Sequence, residues 1–252
     1  MQREEDEAIV LEVELAGEAD RRVLLLGGRG ELVRALAPAA ARSRRRFGAA
    51  LQPGARVRAR WSVRAEGASA ILEEAQLLAP PPTPDPLERY YTLLHLVETT
   101  ALFAREGADD PRLFRLLAAA LERVGAGDAV GPLSRYFEAW VLRLGGLLPE
   151  LDVCAACGRA LTGQAVRVAG ERGGFCAEHA PPGARRLGPA AAAWLEETRR
   201  RPPGELPALS ESAGDELARL LPALIFEFTE RPLRALGALA RHRRARPAPG
   251  AP

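Results

Sequence analysis

Lysine is absent from this 252-residue chain, and all 35 of its basic residues are arginine. That absence removes two kinds of chemistry. A Walker-type loop needs its lysine on the phosphates of a nucleotide, and a pyridoxal enzyme needs a lysine for its Schiff base. Cysteine and histidine are scarce, at three residues each. There is no HExxH, no G-x-S-x-G and no cysteine outside one short cluster, so a catalytic reading has little to stand on and a non-enzymatic role is expected. No stretch approaches the roughly eighteen apolar residues of a membrane span. The start, Met1-Gln2-Arg3-Glu4-Glu5-Asp6-Glu7, lacks the basic opening and apolar core of a signal peptide. A reducing cytoplasm is the expected location.

Four residues carry the clearest chemistry. Cys154 and Cys157 form C-x-x-C, eighteen residues follow from Gly158 to Phe175, and Cys176 and His179 form C-x-x-H. Two ligand pairs on short knuckles, separated by a glycine-rich stretch long enough for a hairpin, have the spacing of a zinc site. Three thiolates and one imidazole fill a tetrahedral shell. Catalytic zinc keeps a position open for water, so one structural Zn2+ per chain is expected here.

The net charge of +2 hides a polarised layout. From Met1 to Asp20 there are eight acids and one arginine, Arg3. From Arg42 to Arg64 there are eight arginines (Arg42, Arg44, Arg45, Arg46, Arg56, Arg58, Arg60 and Arg64) and no acid. Beyond Glu230 six more follow, again without an acid. Local basic patches of this kind are the footprint of polyanion binding.

Five strands are expected in the first eighty residues: Ala8 to Leu15, Arg21 to Leu26, Glu31 to Ala37, Ala55 to Arg64 and Ala70 to Leu78. In the first, Ile9, Leu11, Val13 and Leu15 share one face. Gly27-Gly28-Arg29-Gly30 reads as a hairpin turn and not a phosphate cradle, because no helix follows it. In the fourth, Val57, Ala59, Trp61 and Val63 alternate with arginines, so one face enters a core and the other presents guanidinium groups. Those arginines are either a solvated sheet face or a nucleic-acid contact, and the acid-free run Arg42 to Arg46 beside them favours contact. Phe47 and Trp61 are the candidate base-stacking aromatics, although the phase of Trp61 points to the core. Five short strands without a helix suggest an OB-type barrel over residues 1–79.

Residues 80–86 form a stiff proline-rich linker, and 87–252 reads as a helical domain containing a zinc module at about 150–182. Asp85-Pro86 opens a helix to about Arg105, with Leu87, Tyr90, Tyr91, Leu94, Val97 and Ala101 as its buried stripe. Further helices are expected at Asp110–Val124, Pro132–Leu144, Pro189–Arg200, Ser212–Phe228 and Arg231–Arg243, with a frayed tail. His95 reads as a packed or surface side chain, and His242 as solvated. The fold class is α+β and multidomain.

Several passages resemble the bacterial RecO family. They are EAIVLEVELAGEADRRVLLLGGRGELV followed by SRRRFGAALQPG, the helix YYTLLHLVETTALFAREGADDPRLFRLLAAAL, and YFEAWVLRLGGLLPELDVCAACG followed by Gly173-Gly174-Phe175-Cys176. The resemblance implies an N-terminal OB-fold, a helical domain with an inserted zinc finger, and a non-enzymatic recombination mediator. It implies binding of single- and double-stranded DNA, annealing of complementary strands, and action with RecR and single-stranded-DNA-binding protein (SSB) to load RecA. SSB contact would suit a hydrophobic pocket with basic neighbours in the helical domain. Cys154, Cys157, Cys176 and His179 match the family's ligand positions, with His179 where cysteine is usual. Other readings are an OB and zinc-ribbon RNA-binding or translation-associated protein, and a zinc-dependent hydrolase or deaminase. If six to eight phosphates are neutralised on a single strand, the log–log salt slope of binding is roughly −4 to −6.

Overall fold

The computed structural model describes residues 2–63, 69–82 and 87–245. Five strands come first: β1 (Gln2–Ala16), β2 (Asp20–Gly27), β3 (Leu32–Ala37), β4 (Arg56–Val63) and β5 (Ala70–Ala79). Then come α1 (Leu87–Phe103), α2 (Arg112–Ala126), α3 (Val130–Leu144), short strands β6 (Val166–Val168), β7 (Gly174–Phe175) and β8 (Arg185–Leu187), and α4 (Pro189–Glu197), α5 (Glu211–Thr229) and α6 (Arg234–Ala245). They fall in two compact units, Met1–Gly127 with Arg234–Pro252, and Asp128–Leu233. Helices α1, α2 and α6 therefore share a unit with the strands. The Asp85-Pro86 cap, most of the proline-rich linker and the tail 246–252 lie outside the described residues.

In the first unit the strands close a barrel in the order β1-β2-β3-β5-β4, antiparallel except for β3 with β5. This is the OB-type barrel expected from the alternation. Its interior sets many small residues, among them Ala8, Ala35, Ala37, Ala55, Ala59, Ala70 and Ala75, around larger ones that include Trp61, Leu25 and Leu72. A narrow barrel has room for a ring as large as indole only if many of its neighbours stay small. Trp61 is 2% exposed, and its truncation to alanine would cost about 3–5 kcal/mol. Phe47, from the segment between β3 and β4, is 3% exposed and belongs to the same core. Neither aromatic is available to stack on a base.

Strand β1 departs from the simple alternation. The register slips between Val10 and Glu12, so Leu11 is an extra residue and the strand changes phase there. Ala8 and Val10 point into the barrel and Val13 packs against the same core. Ile9 and Leu11 are buried outside that interior cluster, with α1 packed against the strand. Leu15, at the tip beside the Ala16–Asp20 pair, is 72% exposed instead of core-facing. The strand also begins earlier than its apolar residues do, because its acidic start pairs along β4 from Gln2 to Ile9.

The buried face of α1 also differs from the expected stripe. Leu87 and Tyr90 are exposed, whereas Thr92, Leu93, His95, Leu96, Val97, Thr99 and Thr100 are buried. The arc is wide because β1, α2 and α6 all pack on this helix. Its polar members are satisfied locally: Thr92 Oγ1 donates to the Glu88 carbonyl at 2.9 Å, Thr100 Oγ1 to the Leu96 carbonyl at 2.8 Å, and Thr99 Oγ1 lies 3.3 Å from His95 Nδ1. His95 is thus a packed core histidine. The carboxylate of Glu98 accepts the first amides of α6, from Arg234 at 2.8 Å and Ala235 at 2.9 Å. That cap sets the start of α6, three residues later than the sequence suggested.

In the second unit α3 is central. Arg143 donates to the Leu195 carbonyl and to Thr198 Oγ1, and lies 5.4 Å over the Trp140 ring. Trp140 Nε1 donates to the Thr198 carbonyl at 3.3 Å. These bonds tie α3 to the end of α4. Burial draws the Arg143 guanidinium down to about 10, still far above neutral pH.

The glycine turn between β2 and β3 is a hairpin, and Gly30 (φ +91°) is held so close to the next loop that a Cβ would lie 2.1 Å from the Asp110 carbonyl oxygen. Beside it the buried Glu31 carboxylate lies over Gly27 with neither oxygen hydrogen-bonded. Desolvation pushes its carboxyl up, its own amide offsets this only partly, and Asp6 adds to the rise. The neutral acid therefore fits the site better than the carboxylate, and this residue's support for the fold is present below pH ~4.5 and lost as pH rises. Glu31→Gln is expected to raise the melting temperature at pH 7–8 and to lose that advantage towards pH 4, as thermal unfolding across a pH series would show.

Candidate metal centre and nucleic-acid interface

The metal-type cluster lies wholly in the second unit. The first knuckle is a tight turn in which the Cys154 amide donates to the Arg159 carbonyl and the Gly158 amide to the Cys154 carbonyl, each at 2.8 Å. Gly158 takes φ +69° there, a left-handed conformation that glycine adopts without strain. The second knuckle closes through the His179 amide to the Cys176 carbonyl at 3.3 Å. A three-stranded sheet in the order β7-β6-β8 connects them, and the Ala155 amide joins the first knuckle to the Gly174 carbonyl of β7 at 2.9 Å. Gly174 is tightly enclosed, since a Cβ would lie 3.0 Å from both the Glu150 carbonyl oxygen and Val166 Cγ1.

This scaffold brings together all four residues expected from the spacing. One ligand atom from each of Cys154, Cys157, Cys176 and His179 lies within 4.8 Å of the others. A tetrahedron with metal–sulfur bonds of ~2.3 Å has sulfur–sulfur edges of about 3.8 Å, and Cys154 Sγ is 3.8 Å from Cys176 Sγ. His179 Nδ1 is 3.2 Å from Cys176 Sγ. The set could hold a metal ion. The Cys176 amide donates to Cys154 Sγ at 3.4 Å, and this bond, with those from Cys157 and Ala156, pulls the Cys154 thiol down to about 6. The Arg159 amide also favours the Cys157 thiolate, but desolvation and the neighbouring Cys154 sulfur outweigh it and push that thiol up.

One participant was not legible in the ligand spacing. Arg159, just after the first knuckle, meets Glu178 in the second through two bonds of 3.1 and 3.2 Å. The fork-to-carboxylate pair crosses from knuckle to knuckle and sets a positive charge beside the sulfurs. Both side chains are more than half exposed, so its energetic contribution is small and its geometry matters more.

The arginines of β4 have an unexpected setting. In the barrel the acidic start of β1 lies directly alongside them, pairing Glu5 with Arg60 and Glu7 with Arg58. Arg60 Nε is 3.1 Å from Glu5 and its Nη2 is 3.4 Å from Glu74 on β5. Arg56 Nε is 2.8 Å from Glu7, and its Nη1 is 3.8 Å from Glu122 on α2. Arg58 is exposed between these pairs. The row is therefore an ion-pair ladder across three strands, not a uniform positive face. Arg64 lies outside the described residues.

The run between β3 and β4 divides as well. Arg46 is structural: it donates to the Pro38 carbonyl at 2.7 Å and to Ser43 Oγ at 3.0 Å, and its guanidinium lies 5.0 Å over the Phe47 ring. Arg44 and Arg45 are exposed. Arg42 is exposed and 3.7 Å from a 94%-exposed Glu18, a contact worth little in water. Within this run and β4 the most openly presented positive charges are thus Arg42, Arg44 and Arg45, with Arg58 beside the ladder. Among the described residues, no helix is long and apolar enough to cross a membrane.

The fold and site define a class of protein in which an OB-type barrel accompanies a helical unit carrying a Cys3His metal-type module. Residues 1–81 match the family description "Recombination protein O N terminal", and residues 85–237 match "Recombination protein O C terminal". Curated relatives agree. The DNA repair protein RecO of Geobacter metallireducens is 38% identical over 196 residues, covering 77% of this chain and 80% of the relative. That of Anaeromyxobacter dehalogenans (strain 2CP-1) is 35% identical over 235 residues, covering 89% of this chain and 91% of the relative. This chain belongs to the RecO family of DNA repair and recombination proteins.

If the four ligands hold one ion, titration of the metal-free protein with Co2+ should saturate at one equivalent and give the sulfur-to-cobalt charge-transfer bands of a tetrahedral thiolate site. Cys154→Ser should weaken those bands and lower the melting temperature of the metal-loaded protein, because the ion's binding energy is part of folding. Equal melting temperatures with and without a strong chelator would remove the structural role.

Proposed function

We propose that this chain is a non-enzymatic recombination mediator. It binds single- and double-stranded DNA, anneals complementary strands, and with RecR helps RecA load onto SSB-coated single strands, in the cytoplasm and on the nucleoid. The observation that carries this reading is the exposed trio Arg42, Arg44 and Arg45 on a RecO-family barrel. Arginine forks meet phosphate without reading sequence, so binding is sequence-independent and driven by counterion release. Two strands held on one basic surface have their mutual repulsion screened, and base pairing then selects the partner. No residue has to activate water or transfer a group.

The geometry lowers the expected salt dependence. Arginines already matched to carboxylates release fewer counterions, and Arg46 is committed to the loop. If Arg42, Arg44, Arg45 and Arg58 each meet one phosphate, the barrel contributes a log–log slope of about −3 on a single strand, shallower than the −4 to −6 suggested by counting arginines. In the second unit Cys154, Cys157, Cys176 and His179 would hold zinc as a closed structural site, in keeping with the thiolate-rich donor set. The same unit has a cleft of about 510 Å3 lined by Leu147, Leu224 and Phe228 beside Arg172, with Arg185 paired to Glu227 at its wall. Its mixture of apolar and basic groups suits the contact expected for SSB.

The test is annealing of complementary oligonucleotides coated with SSB, without nucleotide, across a salt series. Acceleration by the protein that fades with rising salt is expected, with Arg44→Glu/Arg45→Glu losing at least tenfold in rate. Arg46 is left intact because it holds the loop. Absence of binding to bare single-stranded DNA at low salt would overturn the reading, and a preference for RNA of the same sequence would favour an RNA-binding role.

A further inference from the structure

The first unit carries a second basic surface, separate in sequence from the barrel loop. Helices α1 and α6 run antiparallel: Glu98 caps the start of α6 at Arg234 and Ala235, while seven residues along each helix Tyr91 meets His242, with ring centroids 5.9 Å apart. Tyr90 extends this aromatic group at 6.3 Å from Tyr91 and is 46% exposed. Ala235 and Leu239 bury the inner side of α6, which leaves Arg241 and Arg244 exposed on either side of His242. The sequence contains no acid after Glu230. Glu98 is used at the opposite end of α6, and Glu88, in the first turn of α1, is the acid of that helix nearest this end.

We propose that the Tyr90–Tyr91–His242 group with Arg241 and Arg244 is a second contact for single-stranded nucleic acid, with Tyr90 stacking on a base and the two arginines on the flanking phosphates. The inference rests on the reading of the chain as a DNA-binding protein and gives it a further surface. An exposed tyrosine beside paired rings and exposed guanidinium groups has the chemistry of sequence-tolerant single-strand binding. Tyr90 is 46% exposed, so part of its ring is open to a ligand, and the inner residues of α6 supply that helix's packing. The surface would hold one strand while the Arg42–Arg45 loop engages another segment or the complement.

Binding of fluorescent oligo(dT) and of duplex DNA to the full chain across a salt series tests this. Arg241→Gln/Arg244→Gln should make the oligo(dT) slope shallower by about 1.4, two contacts at ~0.7 each. Tyr90→Ala should weaken oligo(dT) binding roughly tenfold, Tyr90→Phe should restore it, and duplex binding should change much less. All three positions are exposed, and circular dichroism checks that the variants fold. If the wild-type chain binds no DNA, the mediator reading fails and this surface with it. If the wild type binds and these variants match it in slope and affinity, the second contact alone is wrong. Equal losses on oligo(dT) and duplex would make the surface a general phosphate contact and overturn the stacking role.

Discussion

Closure of the barrel by β1 against β4 is the constraint on which the electrostatics of the first unit depend. In the order β1-β2-β3-β5-β4 the barrel closes by pairing its first strand with its fourth, and that places the most acidic segment of the chain beside the most basic strand. The pairing neutralises Arg56 and Arg60 through Glu7, Glu5 and Glu74. Exposed pairs of this kind contribute little stability. Their effect is on the potential: they reduce a continuous guanidinium row to Arg58 and leave the β3–β4 loop as the main positive feature of the barrel.

The second unit depends on a different kind of closure. Its sheet strands are two or three residues long, too short to hold register unaided. The first knuckle is bonded to β7 through the Ala155 amide and to the second knuckle through Arg159 and Glu178, and four ligand atoms converge between them. These three sulfurs and one nitrogen could hold a metal ion.

Much of this was legible in the sequence, and the exceptions have identifiable causes. Period-two alternation gave the five strands to within a few residues, except that residues 2–7 of β1 carry polar groups on both faces and show no alternation. Local periodicity cannot reveal the bulge at Leu11, which turns Ile9 and Leu11 outward while Val13 stays inward. The four ligand positions followed from spacing because knuckle geometry is local. The state of the arginines did not, since the partners of Arg56 and Arg60 come from strands about fifty residues earlier in the chain and from β5. For α1, an amphipathic stripe assumes one packing partner. The helix has three, so its buried arc moved to His95, Leu96 and Thr99 and left Tyr90 in solvent.

If the barrel binds DNA as proposed, the β1 acids hold Arg56 and Arg60 of β4 out of phosphate contact. It is checked by the salt slope of single-stranded DNA binding for Glu5→Gln/Glu7→Gln/Glu74→Gln/Glu122→Gln, which removes every carboxylate paired with Arg56 and Arg60, compared with the wild type. Release of Arg56 and Arg60 should steepen the slope by about 1.4, two added contacts at ~0.7 each. An unchanged slope in a folded variant would mean that the ion-pair ladder does not govern which arginines the nucleic acid meets, and would contradict the account.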